Sequence, residues 1–341
     1  MRYLEIGTTK KISKIGLGTW QFGSPEWGYG RSYAQTEAHA IVRRAVELGV
    51  TLFDTAELYG FGRSERILGR ALGDDRERVL IATKIFPFLP IAPVVEQRAV
   101  ASACRLGVRR LDLYQVHQPN PVVRDSATMR GMRALRAVGL VDEVGVSNYS
   151  LQRWRAAEQA LGSRVLSNQV RYSLVDRAPE EDLLPYALEE GRAVIAFSPL
   201  AQGMLSGTYT PGNRPANRVR AANPLFFPEN LERASDLIAA LREVADAHDA
   251  SAAQVALAWV IHHPCVTAIP GASSVEQLER NVAAADIRLS DDEYQALKSA
   301  ARRFRPVTGP AALPQFARSQ FARARFRAAR ASGQHTPGDT P

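Results

Sequence analysis

The sequence predicts a closed α/β barrel of eight parallel strands, and three observations carry that expectation. Short, continuously apolar runs alternate eight times with segments of helical periodicity, as expected where both faces of a parallel sheet are covered. The connections between most of them are short. The 341 residues fit one barrel of about 250 residues with extensions better than two ordinary domains.

The units follow in order. Residues 15–19 form an apolar strand, and residues 35–48 carry Ala38, Ile41, Val42, Ala45 and Leu48 at helical spacing before Gly49 stops the helix. The pattern repeats with strand 51–54 and helix 64–72, strand 79–83 and helix 94–106, strand 111–116 and helix 125–138. Then come strand 144–147 and helix 151–161, strand 165–169 and helix 181–190, strand 194–197 and helix 230–248, and strand 266–269 and helix 275–285. Segment 251–262 is an extra helix packed outside. Residues 2–13, RYLEIGTTKKIS, suit a small hairpin under the barrel, and the Pro-, Gly-, Asn- and Arg-rich stretch 206–228 reads as a long loop over its active face. The expected division is a barrel over 1–305 and a basic, partly disordered tail over 306–341, in which Phe316, Phe321 and Phe326 stand among alanines and arginines.

Composition narrows the function classes. Of the net charge of +8, a surplus of seven lies beyond Ala300, where eight arginines face one acid, so the barrel itself is near neutral. That argues against a nucleic-acid-binding barrel and leaves docking or disorder as the reading of the tail. No apolar run reaches the roughly 18 residues of a membrane span, and MRYLEIGTTK lacks the pattern of a secretory signal. The expectation is a cytoplasmic protein with no membrane or obligate protein partner. Cys104 and Cys265 are far apart and outside any Cys/His cluster, so neither a metal nor a disulfide is expected.

Four side chains stand where predicted strands give way to loops. Asp54 and Tyr59 lie in TLFDTAELYG, Lys84 closes VLIATK, and His117 closes LDLYQVH. Each alone has a bland reading, Asp54 as a turn cap and His117 as a satisfied, half-buried ring. Together they are harder to dismiss. An ammonium beside a phenol favours the phenolate, and a carboxylate beside the ammonium keeps it charged and fixed. The three therefore describe a tyrosine tuned to donate a proton near neutral pH, with an imidazole placed to steer a carbonyl oxygen.

At these residues the chain resembles the aldo/keto reductase superfamily, whose Asp-Tyr-Lys-His tetrad matches them in order and approximate spacing. The resemblance runs from GLGTW near the start to about Arg303. It implies catalysis by Asp54, Tyr59, Lys84 and His117: hydride transfer from a nicotinamide to an aldehyde or ketone, with Tyr59 as general acid.

The resemblance also implies a cofactor site. Ser147 and Asn148 in GVSNYS, with Gln169 in SNQV, offer hydroxyl and carboxamide groups to a nicotinamide carboxamide. IAFSPLAQGMLSG supplies Phe197, Ser198, Pro199, Leu200 and Gly203, the segment that in relatives stacks a ring on the nicotinamide and wraps the pyrophosphate; Phe197 stands where many relatives have tyrosine. IPGASSVEQLERN supplies Gly271, Ala272, Ser273, Gln277 and Asn281 toward the adenosine end, at a loop leading into a helix N-terminus. Many relatives carry Lys or Arg in this loop. This chain has Ser273 and Ser274, with Arg280 a turn further on, so the implied NADP(H) is less firmly preferred over NAD(H).

Trp20, Trp27 and Phe86, with Tyr29, Phe61 and Phe88, fall in or near the loops after the first three strands and suit an aromatic mouth for a small-molecule carbonyl substrate. Two other readings stay open. One is a cofactor-binding redox regulator resembling potassium-channel β subunits, and the other a class I aldolase-like barrel using Lys84 as a Schiff base.

Overall fold

The computed structural model describes residues 1–8, 10–30 and 35–309. The expectations for Phe316, Phe321, Phe326 and the arginines around them fall outside these residues. A hairpin of β1 (Tyr3–Leu4) and β2 (Ile12–Ser13) precedes β3 (Leu17–Gly18) and α1 (Gln35–Glu47). The alternation continues through β4 (Leu52–Asp54), α2 (Arg63–Leu72), β5 (Leu80–Ile85), α3 (Ala92–Leu106), β6 (Leu111–Val116), α4 (Asp125–Ala137), β7 (Val141–Ser147) and α5 (Leu151–Leu161). It closes with β8 (Ser167–Arg171), α6 (Leu183–Glu189), β9 (Ala193–Phe197), α7 (Arg218–Ala222), α8 (Pro228–Arg233), α9 (Ser235–Ala247), α10 (Ala252–Val260), β10 (Val266–Ala268), α11 (Val275–Ala283) and α12 (Asp291–Arg303).

Strands β3 to β10 pair in sequence order, every pair parallel. The first then meets the last. Ile15 bridges Ala268 and Gly18 bridges Gly271, with the Gly16 N–H donating to the Ala268 carbonyl at 2.8 Å and the Ala268 N–H to the Lys14 carbonyl at 2.9 Å. This seam requires glycine, because a Cβ on Gly18 would stand 2.8 Å from the Ile269 carbonyl oxygen. The result is the eight-stranded barrel that the alternation predicts.

Strand parity separates two cores. Leu52, Leu80, Ala82, Leu113, Ala193 and Ile195 pack together inside the barrel, and Leu4 and Ile12 of the hairpin plug its bottom. Their outward neighbours Phe53, Ile81 and Val194 join the larger layer against the helices, where Trp154 and Trp259 are fully buried. Because side chains alternate along a strand, the residues two and four places beyond the inner layer also point inward, now at the C-terminal rim. Asp54, Lys84, His117, Ser147, Gln169 and Phe197 all share that parity with Leu52, Leu80, Leu113, Gly145, Ser167 and Ile195.

Several elements differ from the sequence expectation for identifiable reasons. β7 starts at Val141 rather than 144, hidden by Asp142 and Glu143, which pair with Arg110 and Arg164 at the barrel bottom. β8 starts at Ser167 rather than 165, since the Val165 N–H goes to Glu158 at 2.9 Å and its carbonyl accepts from the Trp154 indole at 3.1 Å. The helix expected over 230–248 is two, α8 and α9, meeting at Ala234, and the long loop 206–228 carries the short α7. α12 follows the eighth unit as an addition to the expected alternation, its start fixed by a capping box of Ser290 and Glu293. Just past it, the Val307 backbone exchanges two hydrogen bonds with the buried Asn230 carboxamide, at 2.8 and 2.9 Å. The first residues of the expected tail are thus tied to α8. Among the described residues, no helix is long and apolar enough to cross a membrane, and no cluster of His, Cys, Asp and Glu could hold a metal.

Candidate active site

The four tetrad candidates converge at the rim. Lys84, on inward-facing β5, gives its three protons to three acceptors: Asp54 Oδ1 at 2.6 Å, the Thr55 carbonyl at 2.8 Å and the Tyr59 hydroxyl at 3.4 Å. The second Asp54 oxygen accepts from Gln169 Nε2 at 2.7 Å. Burial pulls the Lys84 ammonium down, but Asp54 and Tyr59 more than offset it and leave the group above its ordinary value. Burial pushes the Asp54 carboxyl up, against the pull of Lys84 and Gln169. Three accepted protons make the ammonium the form this site is built around, which keeps the pair ionic.

Tyr59 sits at the mouth, partly exposed, with its ring 5.7 Å from the His117 ring in an edge contact. Burial raises its pKa, Lys84 lowers it in part, and the net direction is upward. The sequence reading of a phenol tuned near neutral pH therefore meets a resting state in which the phenol holds its proton, because burial first, and then the Asp54 charge behind Lys84, outweigh the cation's effect. His117 is the neutral imidazole. Burial first, then the Lys84 charge, push it down to about 3. Its Nδ1 is buried without a partner.

Support comes from Glu57, Arg98, Thr19 and Ser64, which carry no signal in the sequence. Glu57, between Asp54 and Tyr59, accepts from the Phe86 N–H and from Arg98 of α3, while Arg98 Nη1 donates to the Phe86 carbonyl at 2.9 Å. This clamp fixes Phe86, whose ring meets His117 at 6.2 Å. Ser64 of α2 joins the Thr19 and Thr55 hydroxyls at 2.7 and 2.9 Å directly behind the Lys84 site. Past Tyr59 the chain runs through three left-handed residues, Gly60, Phe61 and Gly62. A phenylalanine there costs roughly 1–3 kcal/mol, and its ring is exposed. Only their spacing to a buried partner could have marked these residues, and that partner lies on another element.

The cofactor candidates fall into two groups. Ser147 donates to the Gln169 carbonyl at 2.8 Å, and Asn148, at φ 60°, donates to the His117 carbonyl at 3.3 Å and to Ser147 Oγ at 3.1 Å. Gln169 is drawn into the tetrad through its amide nitrogen, which leaves its side-chain carbonyl oxygen as the group a ligand would meet. Phe197 is half-buried at the end of β9 under the Arg171 guanidinium, 5.8 Å from the ring centroid. From there Ser198, Pro199 and Leu200 lead to Gly203 through left-handed backbone at Ser198, Ala201, Gln202 and Gly203. The second group lies at β10 and α11. Gln21 Nε2 donates to the Ala272 carbonyl at 2.7 Å, the Ser273 N–H and hydroxyl both donate to Gln277 Oε1 at 2.9 and 3.0 Å, and Asn281 Nδ2 donates to the Gly271 carbonyl at 3.3 Å.

These residues fit a nicotinamide dinucleotide unevenly. Amide and hydroxyl donors with an accessible ring at the ends of β7, β8 and β9 suit a nicotinamide. The first turn of α11 carries Glu276, whose carboxylate is held below its ordinary range by its own backbone N–H and the Ser274 hydroxyl. A phosphate there meets a carboxylate already in place, and the first cation along α11 is Arg280 in its last turn.

Aromatic residues wall the mouth. Trp20 stacks near Tyr59, with ring centroids 6.1 Å apart at 29°, and Trp27 meets Trp20 edge to face at 5.1 Å. Trp20 and Phe86 are 43% and 36% exposed, open enough to touch a ligand.

Residues 14–302 match the model of the aldo/keto reductase family. An uncharacterized oxidoreductase of Mycobacterium tuberculosis (strain ATCC 25618 / H37Rv) is 60% identical over 308 residues, spanning 90% of this chain and 95% of that protein. Methylglyoxal reductase YeaE of Escherichia coli (strain K12) is 36% identical over 300 residues, 88% and 94% of the two chains. Among solved structures, an aldo/keto reductase from Klebsiella pneumoniae in complex with NADP and acetate is 30% identical, covers 89% of this chain and 95% of its own, and superposes with a TM-score of 0.69. The barrel, the inward tetrad and these matches together mean that the chain belongs to the aldo/keto reductase family.

Proposed function

We propose that the protein reduces aldehydes or ketones with NADP(H), Tyr59 donating the proton to the developing alkoxide. The observation that carries this reading is the Lys84 ammonium, held at once by Asp54 at 2.6 Å and by the Tyr59 hydroxyl at 3.4 Å. A reduced nicotinamide supplies the hydride when bound, with Ser147, Asn148, Gln169 and Phe197 as its holders at the reacting end and Ser198 to Gly203 along the pyrophosphate. The chain's own contribution is position and charge.

Tyr59 starts as a neutral phenol, the form that can give a proton. Once it has done so, the cation at 3.4 Å stabilises the phenolate left behind, and Asp54 keeps that cation in place. His117 acts as a neutral donor. Its Nδ1 is sealed without a donor facing it, and leaving a buried acceptor unmet is cheaper than sealing in an N–H, so the proton belongs on Nε2, which is not sealed in. From there it orients the carbonyl oxygen, forming with the Tyr59 hydroxyl a two-donor oxyanion site.

The Schiff-base alternative needs Lys84 as a free amine, and the three-acceptor site that raises its pKa weighs against that. A redox regulator would use the same tetrad, so turnover separates it from an enzyme. NADP(H) is supported by the Klebsiella pneumoniae structure with NADP, while Glu276 and the serines of the β10 loop favour weak discrimination from NAD(H). Oxidation of NADPH and of NADH against a panel of aldehydes and ketones is the experiment. Expected is turnover with both, faster at low NADPH, on carbonyl compounds only. Tight cofactor binding without turnover on any of them would overturn the reading.

A further inference from the structure

A row of rings leads outward from Tyr59 through Trp20 to Trp27 and ends on a cation. The Arg220 guanidinium of α7 lies over the Trp27 ring, 5.6 Å from its centroid. The two loops that bring them together are tied, Asn217 Nδ2 donating to the Glu26 carbonyl at 2.8 Å. Arg220 is always charged, yet it forms no ion pair with a carboxylate among the described residues. Nη1 donates to the Tyr209 hydroxyl at 3.3 Å, Nε is buried without a partner, and Nη2 makes no hydrogen bond and is not sealed in. The Trp27 indole N–H and the Ser24 hydroxyl are buried without partners too.

The simplest alternative is that Arg220 only anchors its loop by stacking on Trp27. Stacking uses the face of the guanidinium and leaves its donors unanswered. Other partly buried arginines have their donors answered, by acids at Arg98, Arg105, Arg153 and Arg192 and by backbone carbonyls at Arg2 and Arg76. A cation at the mouth that lacks such an acid, at the end of an aromatic track from the proton donor, has the chemistry of a receptor for an anion.

We infer that Arg220, with Trp27, recognises a carboxylate at the end of the substrate remote from its carbonyl, so that the preferred substrates are carboxylate-bearing aldehydes or ketones with an aromatic or apolar spacer. This rests on carbonyl reduction at Tyr59. The spacer would lie along Trp20, which is 43% exposed. Arg220 binds here and takes no part in the chemical step.

The test compares 4-carboxybenzaldehyde with its neutral methyl ester in the full chain with NADPH. In the native protein kcat/KM favours the carboxylate, and the advantage shrinks as salt rises. Arg220→Met should lower kcat/KM for 4-carboxybenzaldehyde roughly 10- to 100-fold, the loss of a charged hydrogen bond, mostly through KM. The ester should stay within about twofold. Arg220→Lys, which keeps the charge, should retain part of the preference. Titration of 4-carboxybenzaldehyde followed by tryptophan fluorescence reads binding without turnover and should weaken in Arg220→Met alongside kcat/KM. Equal losses on both aldehydes, no loss on either, or a loss confined to NADPH affinity would each overturn the inference. A native protein that binds the carboxylate through Arg220 but reduces neither aldehyde would instead sink the carbonyl reductase reading and leave the anion site standing.

Discussion

Two buried ion pairs lie back to back across β5. On the inner face Lys84 meets Asp54; one residue earlier, on the outer face, the Thr83 hydroxyl donates to Glu65 at 2.7 Å, and Glu65 is paired with Arg105 of α3. Both carboxylates are almost fully buried, Asp54 2% and Glu65 0% exposed. Burial and pairing therefore do not single out the working pair. What differs is the third contact. Lys84 also reaches a phenol that opens on the cleft, whereas Arg105 reaches back to Ser102 of its own helix at 2.9 Å. The outer pair joins α2, α3 and β5 into a wall, and the inner pair holds charge at a surface where a reaction can use it.

The first way to break this comparison is at Tyr59. Tyr59→Phe removes the only group of the inner network that can hand a proton outward, and carbonyl reduction should fall by roughly 10²- to 10⁴-fold. Cofactor affinity, read by fluorescence titration, should hardly move. Near-native turnover in this variant would remove the distinction drawn between the two pairs.

Cutting each pair at its cation comes next. Lys84→Met and Arg105→Met each strand a buried carboxylate, a loss of about 3–5 kcal/mol in stability by the usual cost of breaking such pairs. In denaturant melts the two should look alike. In turnover they should not: Lys84→Met should lose activity as severely as Tyr59→Phe, while Arg105→Met, assayed below its melting transition, should keep kcat within about twofold. Equal losses of kcat would mean the outer wall positions the tetrad more tightly than its contacts indicate.

pH sharpens the contrast, because the inner network faces titrating neighbours. The proposed reduction needs the Tyr59 phenol protonated, and the upward shift of its pKa by burial favours that form. The kcat/KM for reduction should stay flat through neutral pH and decline only above the ordinary phenol value of about 10. His117, pushed down to about 3, adds no limb near its ordinary 6.5. It does act on stability. The unfolded chain takes up a proton at His117 near 6.5 and the folded chain does not until about 3, so this contribution is intact above 6.5 and drains away as pH falls toward 3. Replacing His117 by Gln should flatten the fall of Tm over that window. An activity limb near 6.5 that vanishes with His117 would contradict the neutral imidazole.

The barrel was legible in the sequence because parallel strands buried on both faces read as apolar runs. Asp54, Lys84 and His117 were legible because polar groups closing such runs have few bland explanations. The limits were physical too. Asp142 and Glu143 masked the start of β7, since strand ends at the barrel bottom tolerate charge when arginines such as Arg110 and Arg164 meet it. The Glu57–Arg98 clamp and the Arg220–Trp27 contact join residues 41 and 193 positions apart, which only the fold brings together. The direction of the Tyr59 shift was also out of reach, because it depends on how far burial and the Asp54 charge cancel Lys84. The two readings differ in direction: the sequence suggests a phenol lowered toward neutral pH, and in the fold it is raised.

The smallest expected effect lies at a loop that carries no cation of its own. Around Asp54 the ammonium is fixed at 2.6 Å, but the loop after β10 presents Ser273 and Ser274 with Glu276 in the following turn. Ser273 spends both its N–H and its hydroxyl on Gln277, so little remains to grip a phosphate on the adenosine ribose. Ser273→Arg should place a guanidinium beside Glu276 and within reach of a 2′-phosphate, where a charge-assisted bond is worth roughly a tenfold gain for NADPH. NADH lacks that phosphate and should gain nothing. Titration of both cofactors checks this. Equal gains would mean the new cation acts on the shared pyrophosphate, and no gain would mean that Glu276 captures it, in which case Glu276→Gln in the same variant should restore the preference.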